Sequence, residues 1–215
     1  MGILGADGSF ADYLAVPVAN LHIVPDSISD EEAVFTEPLA AAFEILEQIT
    51  LSPTDEIVVF GDGKLGLLCA QALHLTGARV TVVGKHEKKL GLLKGLGMDT
   101  ILLSEWKPRQ ADVVVEATGS PSGLKVALDA VRPRGTLVLK STLAGEHTLS
   151  FAPLVIHEIT VVGSRCGLFA PALQALAQKK VTVTPLVEKV YPLEEGIQAV
   201  RHAARSGVLK VLLKV

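Results

Sequence analysis

Cysteines and aromatic residues are scarce in this 215-residue chain: two cysteines, and 4% aromatics. Two thiols are too few for a four-cysteine zinc site or a disulfide framework. Cys69 and Cys166 lie far apart in sequence; they either pair or, as expected of a cytoplasmic protein, stay reduced. An excess of one charge is also lacking. The formal net charge of −3 gives no electrostatic basis for binding nucleic acid or an anionic membrane. No run approaches the ~18 uninterrupted apolar residues of a membrane span. The residues from Met1 to Asp7 carry no basic leader of the secretory kind. The six histidines, His22, His74, His86, His147, His157 and His202, lack the i, i+4 spacing that sets two metal ligands on one helix face.

What the chain does have is aliphatic residues and glycine: 49% of it is hydrophobic and 19 residues are glycine. That suits a layered α/β protein around a buried parallel sheet. The most informative stretch is 57–66, IVVFGDGKLG, which runs into a long apolar-periodic segment. It reads as strand, glycine turn and helix, the βα unit that cradles a dinucleotide. Gly61 permits the turn off the strand, Gly63 lets the backbone approach a pyrophosphate, and Gly66 lets the helix pack on the strand. Lys64 and Leu65 open the helix, whose N-terminus offers free N–H groups and partial positive charge.

Around this unit, β and α patterns alternate. Strands are expected at 80–84, 100–103, 112–116, 136–140 and 159–164. Helices are expected at 87–96, from Ser120-Pro121 through 131, and at 171–178. Repeated βα units imply a doubly wound parallel (Rossmann) sheet with helices on both faces. The link 104–111 is too short for a crossover helix. In a 3-2-1-4 strand order it must cross on the order of 14 Å, and eight extended residues reach roughly 26 Å, so a loop suffices. Upstream, 10–15 and 21–24 read as short strands. Ser29 and Glu32 form a capping box for a helix at 30–35, and Pro38 opens a second helix. Downstream, 187–191 and 209–215 read as strands flanking an amphipathic helix at 193–205.

Several pieces in order carry a wider likeness: Gly8-Ser9-Phe10-Ala11-Asp12-Tyr13-Leu14, Val24-Pro25-Asp26, Thr36-Glu37-Pro38-Leu39-Ala40, Gly61–Gly66, Val115-Glu116-Ala117-Thr118-Gly119, Gly163-Ser164-Arg165 and Leu209-Lys210-Val211. With these the chain resembles the medium-chain dehydrogenase/reductase family of zinc-dependent alcohol, polyol and sugar dehydrogenases. The resemblance implies three regions: residual catalytic-domain strands and a linker helix at 1–36, a dinucleotide-binding Rossmann domain at 37–166, and a return to the residual catalytic domain at 167–215. In that family the zinc ligands belong to an N-terminal portion with no counterpart here. The resemblance therefore implies a chain that binds the nicotinamide cofactor but not zinc, a fragment or a natural short form. Its expected reaction is hydride transfer between nicotinamide and a small alcohol or polyol, weak or absent for want of the metal. The alternative is a non-catalytic cofactor-binding remnant acting as an interaction or regulatory module.

Site residues follow from the same resemblance. Gly61, Gly63, Lys64, Leu65 and Gly66 form the pyrophosphate turn. A cofactor with a free ribose 2′-OH wants an acid at the end of the second strand. Gly84, Lys85 and His86 stand there, with Lys88 nearby; room and positive charge favour NADP(H), with NAD(H) second, unless these lysines are an ordinary solvated helix start. Thr118 and Gly119 end the fourth strand beside the cofactor ribose, or simply cap the next helix. Lys140 and Ser141 resemble the stretch flanking the nicotinamide. Arg165 lies near the nicotinamide or the dimer seam, and Lys210 matches a basic residue on the pyrophosphate. Glu37 is the catalytic candidate, at or beside zinc in relatives; in this chain it is expected to cap the Pro38 helix instead. Cys69 reads as core and Cys166 as no nucleophile. A homodimer through the sheet edge at 159–164 is expected.

Overall fold

The computed structural model describes residues 5, 7–142 and 149–215. His147 and most of the first seven residues lie outside them. In chain order the elements are α1 (Asp30–Ala33), α2 (Thr36–Gln48), β1 (Glu56–Phe60), α3 (Lys64–His74), β2 (Arg79–Gly84), α4 (Glu87–Lys94), β3 (Asp99–Leu102), β4 (Ala111–Glu116), α5 (Pro121–Asp129), β5 (Val131–Leu139), α6 (Ala152–Ile156), β6 (Thr160–Gly163), α7 (Phe169–Ala177), β7 (Val187–Pro192), α8 (Gly196–Ala203) and β8 (Lys210–Lys214).

Six strands form one parallel sheet in the order β3-β2-β1-β4-β5-β6, the doubly wound arrangement the sequence implies. Side chains alternate across it because successive strand residues point to opposite faces. Ile57 and Val59 join a core with Leu39 of α2, Leu68 of α3, Leu90 of α4 and Leu176 of α7. Val58 and Phe60 face a second core with Leu128 of α5 and Leu137 of β5. β1 is thus buried on both sides, which explains its unbroken apolar run.

The link from β3 to β4 crosses the sheet without an α-helix, as its length requires. It holds one short 3-10 turn, Leu103–Glu105. Trp106 packs edge-on against Phe60, with ring centroids 5.2 Å apart, and Arg109 Nη2 donates to Thr81 Oγ1 at 2.6 Å. The capping box at the start of α1 is also present: Glu32 N donates to Ser29 Oγ, and Ser29 N to the Glu32 carboxylate. Lys179 Nζ lies 2.7 Å from that carboxylate and ties α7 to α1.

Two expectations are corrected. Residues 10–15 and 21–24 are not strands; a 3-10 turn at Val18–Asn20 lies between them. A strand needs a neighbour for its ladder bonds, and among the described residues none runs beside them; Tyr13 and Ile23 are each 94% exposed. β5 begins at Val131, five residues before the expected 136, and the helix before it ends at Asp129. Val131 pairs with Ala111, and a register shift before Val113 absorbs the extra residues, with Arg134 at φ 60°. One element was not expected at all: α6 has five residues, too few to display a helical stripe in sequence.

β7 and β8 pair in parallel as a separate two-stranded sheet. α8 packs on it through Tyr191, whose hydroxyl lies 3.1 Å from His202 Nδ1. No helix among the described residues is long and apolar enough to cross a membrane.

Candidate functional site

The glycine turn shapes one end of the sheet. Gly61 leaves β1 at φ 121°, and a Cβ there would lie 2.4 Å from the Ala117 carbonyl oxygen. A Cβ on Gly66 would come 2.1 Å from the Gly61 oxygen. Both glycines are therefore imposed by backbone contact between β1, β4 and α3. Gly63 differs: nothing lies within 4 Å of where its Cβ would stand. It faces open space and serves as N-cap of α3, with no side chain capping the helix. Free first-turn N–H groups of α3 thus point at an open cradle, a site for an anion.

The end of β4 forms the opposite wall. Glu116 is buried, and its carboxylate accepts from Thr118 N at 2.7 Å and Thr118 Oγ1 at 2.6 Å. Gly119 adopts φ 65°, and its N–H donates to Ser141 Oγ at 2.8 Å. The Thr118-Gly119 loop is therefore held from below by β4 and from the side by the end of β5.

Between these walls lies a cavity of about 670 Å³. Glu37, Gly63, Lys64, Leu65, Thr118, Gly119, Lys140, Arg165 and Lys210, all singled out by sequence, line it. Gly61 and Gly66 do not line it. Gly84, Lys85 and His86 do not line it; they stand at the neighbouring end of β2.

The basic residues are not equivalent. Lys210 Nζ sits 5.0 Å from the centre of the Phe35 ring. Burial pushes its pKa below the ordinary lysine value, and Lys64 lowers it further, while Glu37 opposes the shift. Two lysines thus converge at the cavity, an electrostatic complement to a pyrophosphate. Lys140 is turned inward: Nζ donates to Ala41 O at 2.6 Å, Ser164 Oγ at 3.0 Å and Arg165 O at 3.4 Å. Burial lowers its pKa as well. Its ammonium ties α2 to the end of β6 and does not point at the cavity. Glu37 is exposed in the first turn of α2, a favourable place for an acid.

The sequence did not single out Asp62. Its Oδ2 accepts from Lys85 N at 2.7 Å and His86 N at 2.6 Å, and His86 Nδ1 lies 3.0 Å away. The room expected beside Gly84 is filled by this side chain: a Cβ on Gly84 would lie 2.6 Å from Asp62 Cβ. The available signal was an acid between two glycines, with no obvious partner nearby in sequence. Phe35 was missed too, since only the fold brings it under Lys210.

Among the described residues no three His, Cys, Asp or Glu side chains gather to hold a metal ion. The donor set among the described residues does not fit the zinc that the resemblance assigns to intact family members. Cys69 is buried and its pKa is pushed up to about 12 by desolvation, as befits a core thiol; Cys166 is exposed, and both are free.

Comparison with known proteins agrees with this architecture. Residues 65–179 match the family model described as zinc-binding dehydrogenase, just over half of the chain. A sorbitol dehydrogenase of Halalkalibacterium halodurans is 34% identical over 96% of this chain and 65% of its own length; the chain thus spans just under two thirds of that relative. Two solved structures share the fold. One, from Sinorhizobium meliloti 1021, is bound to NADP and superposes with a TM-score of 0.88 at 23% identity, over 97% of this chain and 66% of that one. The other, an alcohol dehydrogenase from E. coli CFT073 complexed with NADH, gives a TM-score of 0.88 at 22% identity, over 98% and 67%.

Proposed function

We propose, from the premise that this chain belongs to the zinc-binding dehydrogenase family, that it binds a nicotinamide dinucleotide in the crevice between the glycine turn and the Thr118-Gly119 loop. The observation that carries this reading is the open space at Gly63 beside an uncapped helix N-terminus, faced by Lys64 and Lys210. The pyrophosphate accepts from the first amides of α3 and is neutralised by the two lysines. The nicotinamide then extends toward Thr118, Gly119 and Arg165, at the carboxyl ends of the strands where such sheets hold ligands. Lys140 holds α2 and β6 in register around it. When bound, the nicotinamide exchanges a hydride with a small alcohol or polyol and its carbonyl counterpart. Sorbitol dehydrogenase, the relative above, supports that substrate class. The described residues gather no donor set that could hold a metal ion, and from this we expect weak or absent turnover by them. Lys85 and Lys88 beside the end of β2 support NADP(H), while the Asp62 carboxylate among them supports NAD(H); the crevice reading holds for either.

The test is calorimetric titration of the purified chain with NAD⁺ and NADP⁺, with saturable one-to-one binding of at least one expected. An empty titration with both overturns the proposal. A steady-state assay with simple polyols checks the catalytic part: rates typical of zinc-containing family members would refute weak turnover.

A second reading, a cofactor-bound interaction module, is favoured by the apolar side chains left on the surface. Phe10, Tyr13 and Leu14 are at least half exposed, and an apolar patch of that kind marks contact surfaces. The exposed edge strand β6 supports pairing of two copies through their sheets. Sedimentation is expected to show a dimer; a stable monomer at micromolar concentration removes that part of the proposal.

A further inference from the structure

We infer that Asp62 is the residue that sets cofactor choice in this chain, supplying from the glycine turn the ribose-reading carboxylate that β2 lacks, and so favouring NAD(H) over NADP(H). The inference rests on the crevice reading above and adds the identity of the ribose it accepts.

Three observations converge on it. Asp62 occupies the place of a missing side chain. A Cβ on Gly84 would stand 2.6 Å from Asp62 Cβ and 2.7 Å from its Oδ2. An acid at position 84 and Asp62 therefore exclude each other, and Asp62 fills the position at the tip of β2 where an acid meets the ribose 2′-OH.

The second observation concerns the amides that follow β2. A 2′-phosphate bound at this corner needs donors, and the nearest are the N–H groups of Lys85 and His86. Both donate to Asp62 Oδ2, at 2.7 and 2.6 Å, and His86 Nδ1 stands 3.0 Å from the same atom. Since a carboxylate only accepts, Nδ1 carries the proton. The donors are thus already partnered by an anion. A phosphate bearing up to two negative charges would have to displace it or sit against it in a site of reduced dielectric.

The third observation is the other oxygen. All three contacts fall on Oδ2, and Oδ1 has no protein donor among the described residues. The side chain keeps 10% of its surface exposed, and Oδ1 is the acceptor it has left for a ligand. A ribose diol has hydroxyl donors for it, and an esterified 2′-oxygen does not. The nearby cations do not offset this: Lys85 and Lys88 are both exposed, and Lys88 is near enough to Glu188 to interact with it electrostatically.

The experiment is calorimetric titration of the wild-type chain and of Asp62→Asn with NAD⁺ and NADP⁺. Asparagine keeps an oxygen for the two amides while removing the charge, and thermal melting confirms that the fold is retained. The wild type is expected to bind NAD⁺ at least about tenfold more tightly than NADP⁺, a difference of 1.4 kcal/mol. Asp62→Asn is expected to shift that ratio toward NADP⁺ by about tenfold or more. Asp62→Ser gives the same reading with a smaller side chain should asparagine perturb the loop. Equal or tighter NADP⁺ binding by the wild type overturns the inference and leaves the crevice reading intact. An unchanged ratio in both folded variants also overturns it. Failure of both cofactors to bind overturns the crevice reading, and this inference with it.

Discussion

Gly61 and Gly63 lie two residues apart and share a motif, yet the structure gives them opposite sensitivities. Gly61 has positive φ and a backbone oxygen 2.4 Å from any added Cβ. Gly61→Ala is expected to destabilise the fold by more than about 3 kcal/mol, seen as a lost or strongly lowered melting transition. Gly63 has φ −76° and open space around it. Gly63→Ala is expected to leave the melting temperature within a degree or two, by about the tolerance of surface changes, and to weaken cofactor binding at least about tenfold by intruding on the pyrophosphate. Equal loss of stability in both variants would show that the turn is merely structural. Lys210 carries a pH prediction. Its pKa is lowered by burial and by Lys64, so it loses its proton at a lower pH than an exposed lysine. The anion needs the protonated form. Cofactor affinity is therefore expected to fall as pH rises toward the ordinary lysine pKa of about 10.4, and Lys210→Ala is expected to be weaker throughout and to lose most of that dependence. Titrations across alkaline pH in both proteins check this.

At the scale of elements, Asp112 joins three strands. Its Oδ2 accepts from Glu56 N in β1 at 2.8 Å, and Oδ1 accepts from Arg132 Nε in β5. Its pKa is held down first by the Glu56 amide and then by Arg132, against the opposing effect of burial. A carboxyl with a lowered folded-state pKa contributes stability above its unfolded value, and that contribution is lost as pH falls through the folded value. Asp112→Ala is expected to cost about 1 to 3 kcal/mol near neutral pH, with the gap to wild type closing below about pH 4. Denaturant melts at neutral and acid pH test both the size and the sign. The element pattern also shows what a sequence displays. α3 was legible because it holds enough residues for its period to repeat, and β1 because its unbroken apolar run ends in the glycine turn. The early start of β5 was not, since a bulge opposite Asp112 leaves no periodic trace. The segments around residues 12 and 22 carry strand-like composition but find no partner among the described residues.

At the scale of the whole molecule, the six-stranded order brings together residues far apart in the chain. Glu37, Gly63, Thr118, Arg165 and Lys210 come from five separate segments and line one cavity. Gly63, Thr118 and Arg165 converge because the turns at the carboxyl ends of parallel strands all open on the same edge of the sheet; Glu37 joins them from the first turn of α2 and Lys210 from the start of β8. That is why the family likeness indicated these positions correctly as neighbours. It gave no orientation: Lys140 reached the same edge but turned its ammonium into the protein.

The sequence alone determined the fold class and the glycine turn, because these follow from local periodicity and glycine spacing; the length of one linker allowed the strand order without fixing it. Only tertiary structure decided which charges meet. Asp62 and Lys85 are 23 residues apart, and Lys210 and Phe35 farther still, so their contacts depend on the register of β1 against β2 and on where the chain returns after α8. Hydrophobic patterning specifies which side chains leave water; the direction in which a polar group points is settled only by the partners that packing sets around it.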